Sequence, residues 1–350
     1  MRTIIHVIDS LGTGGAETLL VNANIRLSGF RHIIVYLRPP LDYVEQLRGV
    51  HIYCLNFNGW QSMPRCVPAL RRFIKENNAE LIHSHLYYST IIARSACPRN
   101  TKLVSTYHNV LYDSRGSNYS VLYRWIDRLT YQSRFITLSV SEVVRNDLEK
   151  HIGIKKNSFV LYNYVEENFF NRNRLHDSNT IRIISVGNLK PQKNYRWALE
   201  ALSPWLKDNS NIVWEIFGDG PERTVLEEII RRNGIDNVQL KGKVKNVEDV
   251  IMHYKLFFMP SQWEGFGIAL AEAMAAGLPC LASELPVFKE IAGNTILYFE
   301  LNDGESLRKQ MNWAIEHPSE LENLGDGAFQ RAQAFTKHNY CQQLRSVYEC

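Results

Sequence analysis

Nowhere in this chain of 350 residues is there an apolar run of about 18 residues, so nothing in it reads as a membrane-spanning helix. Its six cysteines, at 54, 66, 97, 280, 341 and 350, include no Cys-x-x-Cys and no grouping with histidines. They read as reduced packing thiols of a cytosolic protein, neither disulfide partners nor zinc ligands. The Gly-x-Gly-x-x-Gly fingerprint of dinucleotide-binding folds is missing too, which argues against a nicotinamide dehydrogenase. No recognised nucleic-acid motif occurs and the basic residues are dispersed, so no nucleic-acid partner is expected. The opening MRTIIHVIDSLGTGG carries one Arg and a short apolar run broken by Asp9, and is read as a first strand rather than a signal peptide.

What is present is the composition of a globular protein, 45% apolar and 22% charged, with length enough for two domains. The net charge of +4 hides an asymmetry. Residues 1–170 hold 20 Lys/Arg against 13 Asp/Glu, and residues 171–350 hold 20 against 23. A basic first half favours an anionic surface or ligand. Two basic, aromatic segments, 60–75 (with Pro64 and Pro68 limiting helix formation) and 119–135, fit either surface helices packed on a sheet, the reading favoured, or peripheral contact with an anionic membrane.

Short apolar runs near 3–8, 32–37, 51–55, 80–84, 102–106 and 135–139 alternate with helical stretches, which predicts βαβ units and a parallel sheet. A helix over 141–151 is expected to be capped by Ser139 or Ser141. Gly12-Thr13-Gly14-Gly15 makes a turn into a helix from about Ala16 to Leu27, and serves either as a tight turn only or as a phosphate contact. His85 and His108 close two of the strands, where ligands of such sheets bind. The polar run 171–179 reads as a linker. Beyond it the alternation resumes with strands at 181–186, 212–217 and 238–240, and further strands are expected at 286–291 and 295–299.

The most informative stretch is LFFMPSQWEGFGIALAEAMAAGLP, residues 256–279. Leu256–Met259 reads as a buried strand, Gly265 and Gly267 bracket a turn, and Gly267–Ala276 reads as a helix stopped by Gly277 and Pro279. Its first-turn N–H groups at Gly267, Ile268 and Ala269 would suit a diphosphate. Glu272, about one 5.4 Å pitch along, would then lie where a ribose sits. Glu264, before the turn, would face what hangs from the second phosphate. Such an arrangement describes a nucleotide sugar. Two glutamates at this spacing also occur on ordinary solvated surfaces, and spacing alone does not decide.

As PSQWEGFGIALAEAMAAGLP the stretch resembles the large retaining glycosyltransferase family of group 1, family 4, whose signature is a Glu, seven residues and a second Glu. The resemblance implies an α/β GT-B fold, two Rossmann-like doubly wound domains facing across a cleft. It implies an acceptor-binding domain over 1–170, a linker over 171–180, a nucleotide-sugar-binding domain over 181–334, and a closing helix over 335–350 that crosses back to the first domain. By the same resemblance His108 contacts the transferred sugar and Gly14 and Gly15 lie near the donor phosphates. Lys193 clamps the diphosphate, Gly218 and Gly220 approach the nucleotide, and Val244 stands where main-chain contacts to the base are made. Gly265, Phe266, Gly267 and Ile268 form the phosphate-binding turn around Glu264 and Glu272. Asn188 stands where that family has an Arg, and Tyr164 where it has a Gly.

The expected activity is retaining transfer from a nucleotide diphosphate sugar, UDP favoured over GDP, to a glycan or lipid-linked acceptor in cell-surface polysaccharide synthesis. The protein is expected in the cytoplasm or at the inner membrane face. Glu264, His108 and Lys193 are the expected catalytic residues. No Asp-x-Asp occurs, so no metal is expected, and no cofactor. The departures at 164 and 188 keep open a non-catalytic subunit that binds the same donor.

Overall fold

A computed structural model of the chain describes residues 1–12, 14–113, 121–171 and 180–350. The chain divides into two units, residues 1–163 with 338–350, and residues 164–337. The first unit thus ends at Asn163, ahead of the expected 170. Residues 172–179 of the expected linker, Thr13 of the first glycine loop, and Tyr119 and Ser120 of the aromatic, basic segment lie outside the described residues.

Seven strands form the sheet of the first unit: β1 (Arg2–Ile8), β2 (Phe30–Tyr36), β3 (His51–Cys54), β4 (Leu81–His85), β5 (Lys102–Tyr107), β6 (Ile136–Ser139) and β7 (Ser158–Val160). They run parallel in the order β3-β2-β1-β4-β5-β6-β7. Parallel neighbours need crossovers, supplied by α1 (Gly15–Asn22), α2 (Met63–Glu76), α3 (Tyr87–Ala96), α4 (Val121–Thr130) and α5 (Glu142–Ile152). Covered on both faces, the central strands bury Ile4, Ile5, Val7 and Ile8 completely. Ser141 caps α5 by accepting from the Val144 N–H at 3.2 Å. The expected helix to Leu27 is shorter, α1 giving way to a 3-10 turn at Asn24–Arg26. Pro64 and Pro68 do not prevent α2. Pro64 sits in its first turn, where an N–H has no partner to lose, and Cys66, Leu70, Phe73 and Ile74 anchor the rest in the core.

The second unit repeats the plan with β8 (Ile181–Val186), β9 (Ile212–Phe217), β10 (Val238–Gly242), β11 (Leu256–Met259), β12 (Cys280–Ser283) and β13 (Leu297–Phe299), in the order β10-β9-β8-β11-β12-β13. Its helices are α6 (Tyr195–Asp208), α7 (Arg223–Asn233), α8 (Val247–Ile251), α9 (Ile268–Ala275), α10 (Pro286–Ala292), α11 (Gly304–Glu316) and α12 (Pro318–Ala332). The expected strand at 286–291 is instead α10. Pro286 fits a helix start, and the strand beside β11 is Cys280–Ser283. The closing helix α13 (Lys337–Glu349) packs, from His338 on, with the first unit: Tyr340 donates to Asn24 Oδ1 at 2.7 Å and Arg345 to the Ser28 carbonyl at 2.8 Å.

In each sheet the strand order reverses once, between β1 and β4 and between β8 and β11. Ligands of such sheets bind beyond the carboxyl ends of the strands at that point.

Beside the second reversal the loops after β8 and β9 meet, and their glycines answer to contact between them. The Gly187 N–H donates to the Phe217 carbonyl at 2.9 Å and the Leu189 N–H to the Asp219 carbonyl at 3.0 Å. A Cβ on Gly218, whose φ is +139°, would stand 1.9 Å from the Gly187 carbonyl oxygen, and one on Gly220 2.5 Å from that of Leu189. Gly218→Ala is therefore expected to lower stability by about 2 kcal/mol, read as a shift in the urea midpoint. An unchanged midpoint would show that the loops separate freely.

Candidate active site

The site in the second unit is assembled by strand order. Glu264 follows β11 and Lys193 follows β8, and since these strands pair, the two side chains meet 71 positions apart with Lys193 Nζ 2.7 Å from Glu264 Oε1. Ser261 donates to the same oxygen at 2.9 Å, and the carboxylate is 9% exposed. The two loops are tied together around this pair. The Gln262 N–H donates to the Gln192 carbonyl, Gln192 Nε2 to the Trp263 carbonyl, and Gln262 Nε2 to Asn194 Oδ1, each at 2.8 Å. A partly buried charge pair held in such a frame is far less screened than a surface pair. Asn188 is exposed on the same loop, as is Lys190. Ser261 and Gln262 fall inside the signature stretch PSQWEGFG and Gln192 just before Lys193, but their bonds across the two loops leave no mark in the sequence.

Gly267 turns the chain into α9 with φ +88°, and a Cβ there would stand 2.7 Å from Phe288 Cε1, so both conformation and space call for glycine. Gly265 and Phe266 are buried, with Phe266 edge-on to Phe335 at 5.4 Å. The helix therefore starts at Ile268, half-buried, one residue past the expected Gly267, which caps it instead. Glu272 lies one turn in, half-buried. Burial, then the charges of Glu248 and Glu166, raise its pKa to about 8, while Lys193 works the other way. Sequence reasoning missed Glu166 and Glu248. Glu166 accepts from the Tyr164 hydroxyl at 3.1 Å and pairs with Lys337 at 3.1 Å. Tyr164 is buried and takes no positive φ, so this loop does not need the glycine usual there. Val244 is half-buried on the loop after β10.

In the first unit His108 follows β5 and lines a cavity of about 210 Å³ with Asp9, Leu86, Tyr87, Tyr107, Asn109 and Leu111. Burial pushes its pKa down to about 4, which keeps the ring neutral at ordinary pH. Asp9 accepts from both the N–H and the hydroxyl of Ser89 at 2.7 Å. Gly14 begins the turn into α1, and a Cβ there would collide with the Glu17 carboxylate, 2.4 Å away. Around Gly15 the space is open. His85 is fully buried behind His108, their rings 5.7 Å apart.

α4 presents an inverted face. Its one buried residue is Asp127, paired with Arg94 and accepting from the Tyr107 and Tyr112 hydroxyls at 3.0 and 2.7 Å. Val121, Leu122, Trp125 and Leu129 are exposed, Leu129 by 76%. No helix among the described residues is long and apolar enough to cross a membrane.

Two family models match adjoining parts of the chain: "Glycosyl transferases group 1" over residues 166–331 and "Glycosyltransferase Family 4" over residues 13–169. The N-acetyl-alpha-D-glucosaminyl L-malate synthase of Bacillus anthracis is 22% identical over 78% of this chain and 75% of its own length. The Escherichia coli UDP-Gal:alpha-D-GlcNAc-diphosphoundecaprenol alpha-1,3-galactosyltransferase is 24% identical over 77% of this chain and 75% of its own. Among solved structures, Anabaena Alr3699/HepE in complex with UDP superposes with a TM-score of 0.85 at 16% identity, covering all of both chains, so the two folds are alike. With two doubly wound parallel-sheet units and both halves matched, the chain belongs to the group 1 glycosyltransferases of GT-B fold, enzymes of glycan biosynthesis.

Proposed function

We propose that this enzyme moves a sugar from a UDP-sugar to a hydroxyl of a lipid-linked glycan, with retention and without a divalent metal. The Lys193–Glu264 pair, set beside the amino end of α9 with Glu272 on that same helix, carries the reading. In it the diphosphate lies at the first turn of α9, where the helix dipole and Lys193 take up charge as the bond from anomeric carbon to phosphate oxygen breaks. Glu264 holds sugar hydroxyls and favours the positive character that develops on the ring. The acceptor oxygen forms the new bond on the leaving-group face, and its proton passes to the departing phosphate oxygen. Glu272 accepts from the ribose diol. The cavity beside His108 takes the acceptor or the transferred sugar, with the neutral imidazole as a hydrogen-bonding partner. In the second unit the backbone at Gly218, Gly220 and Val244, with Asn188, completes the donor surroundings.

Two relatives point to the donor and acceptor classes. The E. coli galactosyltransferase is named for a UDP-sugar and a diphosphoundecaprenol acceptor, and Alr3699/HepE was solved with UDP. Among the described residues, the groupings of His and carboxylates close enough for a metal both lie in the first unit. In this reading Lys193 and the amino end of α9 are the groups that take up the charge of the diphosphate.

Calorimetry against UDP, GDP and their sugars tests the donor. UDP is expected to bind at least about tenfold more tightly than GDP, and adding Mg²⁺ or Mn²⁺ is expected to leave affinity and turnover within about twofold. Equal affinities would overturn the choice of base, and stimulation by the ions the metal-free reading. NMR of the product anomer decides retention, and absence of transfer with every donor would favour a non-catalytic subunit.

The apolar outer face of α4, with Arg124 and Arg128 on the same helix, is read as the contact with an anionic bilayer. Co-sedimentation with vesicles containing phosphatidylglycerol is expected, and Trp125→Ser with Leu129→Ser should weaken it by about tenfold or more. Binding unaffected by this pair would place the contact elsewhere.

A further inference from the structure

One face of the first unit's sheet carries a row of imidazoles. His6 on β1 and His83 on β4 are register partners, so they stand side by side, and His85 follows two residues later on the same face. All three are completely buried. The ring centroids of His83 and His85 are 4.1 Å apart, and His6 lies 5.7 Å from the first and 5.9 Å from the second.

Hydrogen bonds fix where the protons are. His32 Nε2 lies 2.9 Å from the Leu27 carbonyl, which can only accept, so this nitrogen carries hydrogen. Its Nδ1 is therefore the acceptor in the 3.0 Å contact with His6 Nε2, which must then be the protonated nitrogen of His6. That leaves His6 Nδ1 as a bare lone pair, buried and without a hydrogen-bond partner. His85 has neither nitrogen partnered. His83 is held from both sides, Nδ1 by the Tyr348 hydroxyl at 2.6 Å and Nε2 by the Thr106 hydroxyl at 2.7 Å. One nitrogen from each of the three rings lies within 4.8 Å of the others.

We propose that His6, His83 and His85 form a binding site for a late first-row transition-metal ion of the zinc type, which ties β1 to β4 within the core of the first unit. Neutral imidazoles are what such ions take, and burial holds all three rings neutral. The relay from His6 through His32 to a backbone carbonyl is the outer support that metal-bound histidines commonly have, and it fixes Nδ1 as the ligating atom. Ligand nitrogens at about 2.0–2.1 Å from zinc stand roughly 3.4 Å apart, and His83 joins them by giving to the ion the lone pair that one of its two hydroxyl partners, Tyr348 or Thr106, now holds. Magnesium and calcium, which seek oxygen, find no such ligands here. The ion has no step in the sugar transfer, so the metal-free reading of the donor chemistry and this one stand or fall separately.

Full-length protein, untagged and dialysed against chelator, would be loaded with Zn²⁺ or Co²⁺, desalted and assayed by mass spectrometry for metal. About one ion per chain is expected, with a higher thermal midpoint and, for Co²⁺, the intense visible bands of a four-coordinate site. His85→Gln and His6→Gln should each lower retention at least tenfold. Asp113→Asn, which breaks the grouping of Asp113, Asp147 and His151, should leave it unchanged. Should the histidine variants fail to fold, ¹⁵N-histidine spectra of the wild type decide, because coordination shifts three imidazole nitrogens on zinc addition. Retention below about 0.1 ion per chain, retention unaffected by His85→Gln, loss in Asp113→Asn, or unshifted histidine signals would each overturn the site.

Discussion

Glu264→Gln is expected to lower turnover by about 10²–10³-fold, or roughly 2.7–4 kcal/mol of transition-state stabilisation. The substitution keeps the shape and one carbonyl oxygen for Ser261, and removes only the charge. In the wild type that charge is held by Lys193 at 2.7 Å and by Ser261, so it is already oriented before any donor arrives. A fixed charge needs no reorganisation as the glycosidic bond breaks, which is why its loss should fall on kcat more than on donor affinity. Thermal unfolding should come at a lower temperature, because the amide keeps the shape but leaves Lys193, largely buried, without its charge partner. Steady-state kinetics with calorimetry separates the effects. A variant turning over within tenfold of wild type would remove Glu264 from the chemistry.

Glu272→Gln should change two measurements in opposite directions. The Glu272 carboxyl has its pKa raised to about 8, mostly by burial and then by Glu248 and Glu166. The folded protein therefore keeps a proton that the unfolded chain releases near its ordinary value of 4.5. Stability from this group is fully present below that value and is lost as pH rises through about 8. Glutamine has nothing to ionise, so the variant should match wild type near pH 5 and exceed it at pH 9. The gain is on the order of 2 kcal/mol, less than the full shift implies, because solvent at the outer edge of the side chain screens its charge. Nucleotide binding should weaken about 10–100-fold in the same variant. In the wild type, binding near pH 7 should release a proton as the carboxylate ionises to accept the ribose hydroxyls, visible as buffer-dependent calorimetric heats. A pH-independent stability difference would show that Glu272 does not titrate in this range.

Sequence periodicity located most of this fold. The strands expected at 181–186, 212–217 and 256–259 stand with those bounds, because each is a short, nearly continuous apolar run. Residues 286–291 looked like another and proved helical. Pro286 and the apolar Val287, Phe288 and Ile291 suit either element, and only the neighbouring strand at Cys280–Ser283, four residues without a telling alternation, settles it. The turn into α9 was legible because glycine at a positive φ leaves a local mark. The partnership of Lys193 with Glu264 was not, since it arises from β8 lying next to β11. The row of histidines was hidden for the same reason: His6 and His83 meet only through strand pairing.

The last helix carries a consequence for biosynthesis. Tyr340 and Tyr348 of α13 are buried in the unit that begins with β1, bonded to Asn24 and His83. In the order of synthesis β1 precedes these tyrosines, and the whole second unit is made in between. The second unit can complete its fold during translation, whereas the first keeps an unfilled seam over Asn24 and His83 until α13 has been made. The unit begun first is thus closed only after the other has been made.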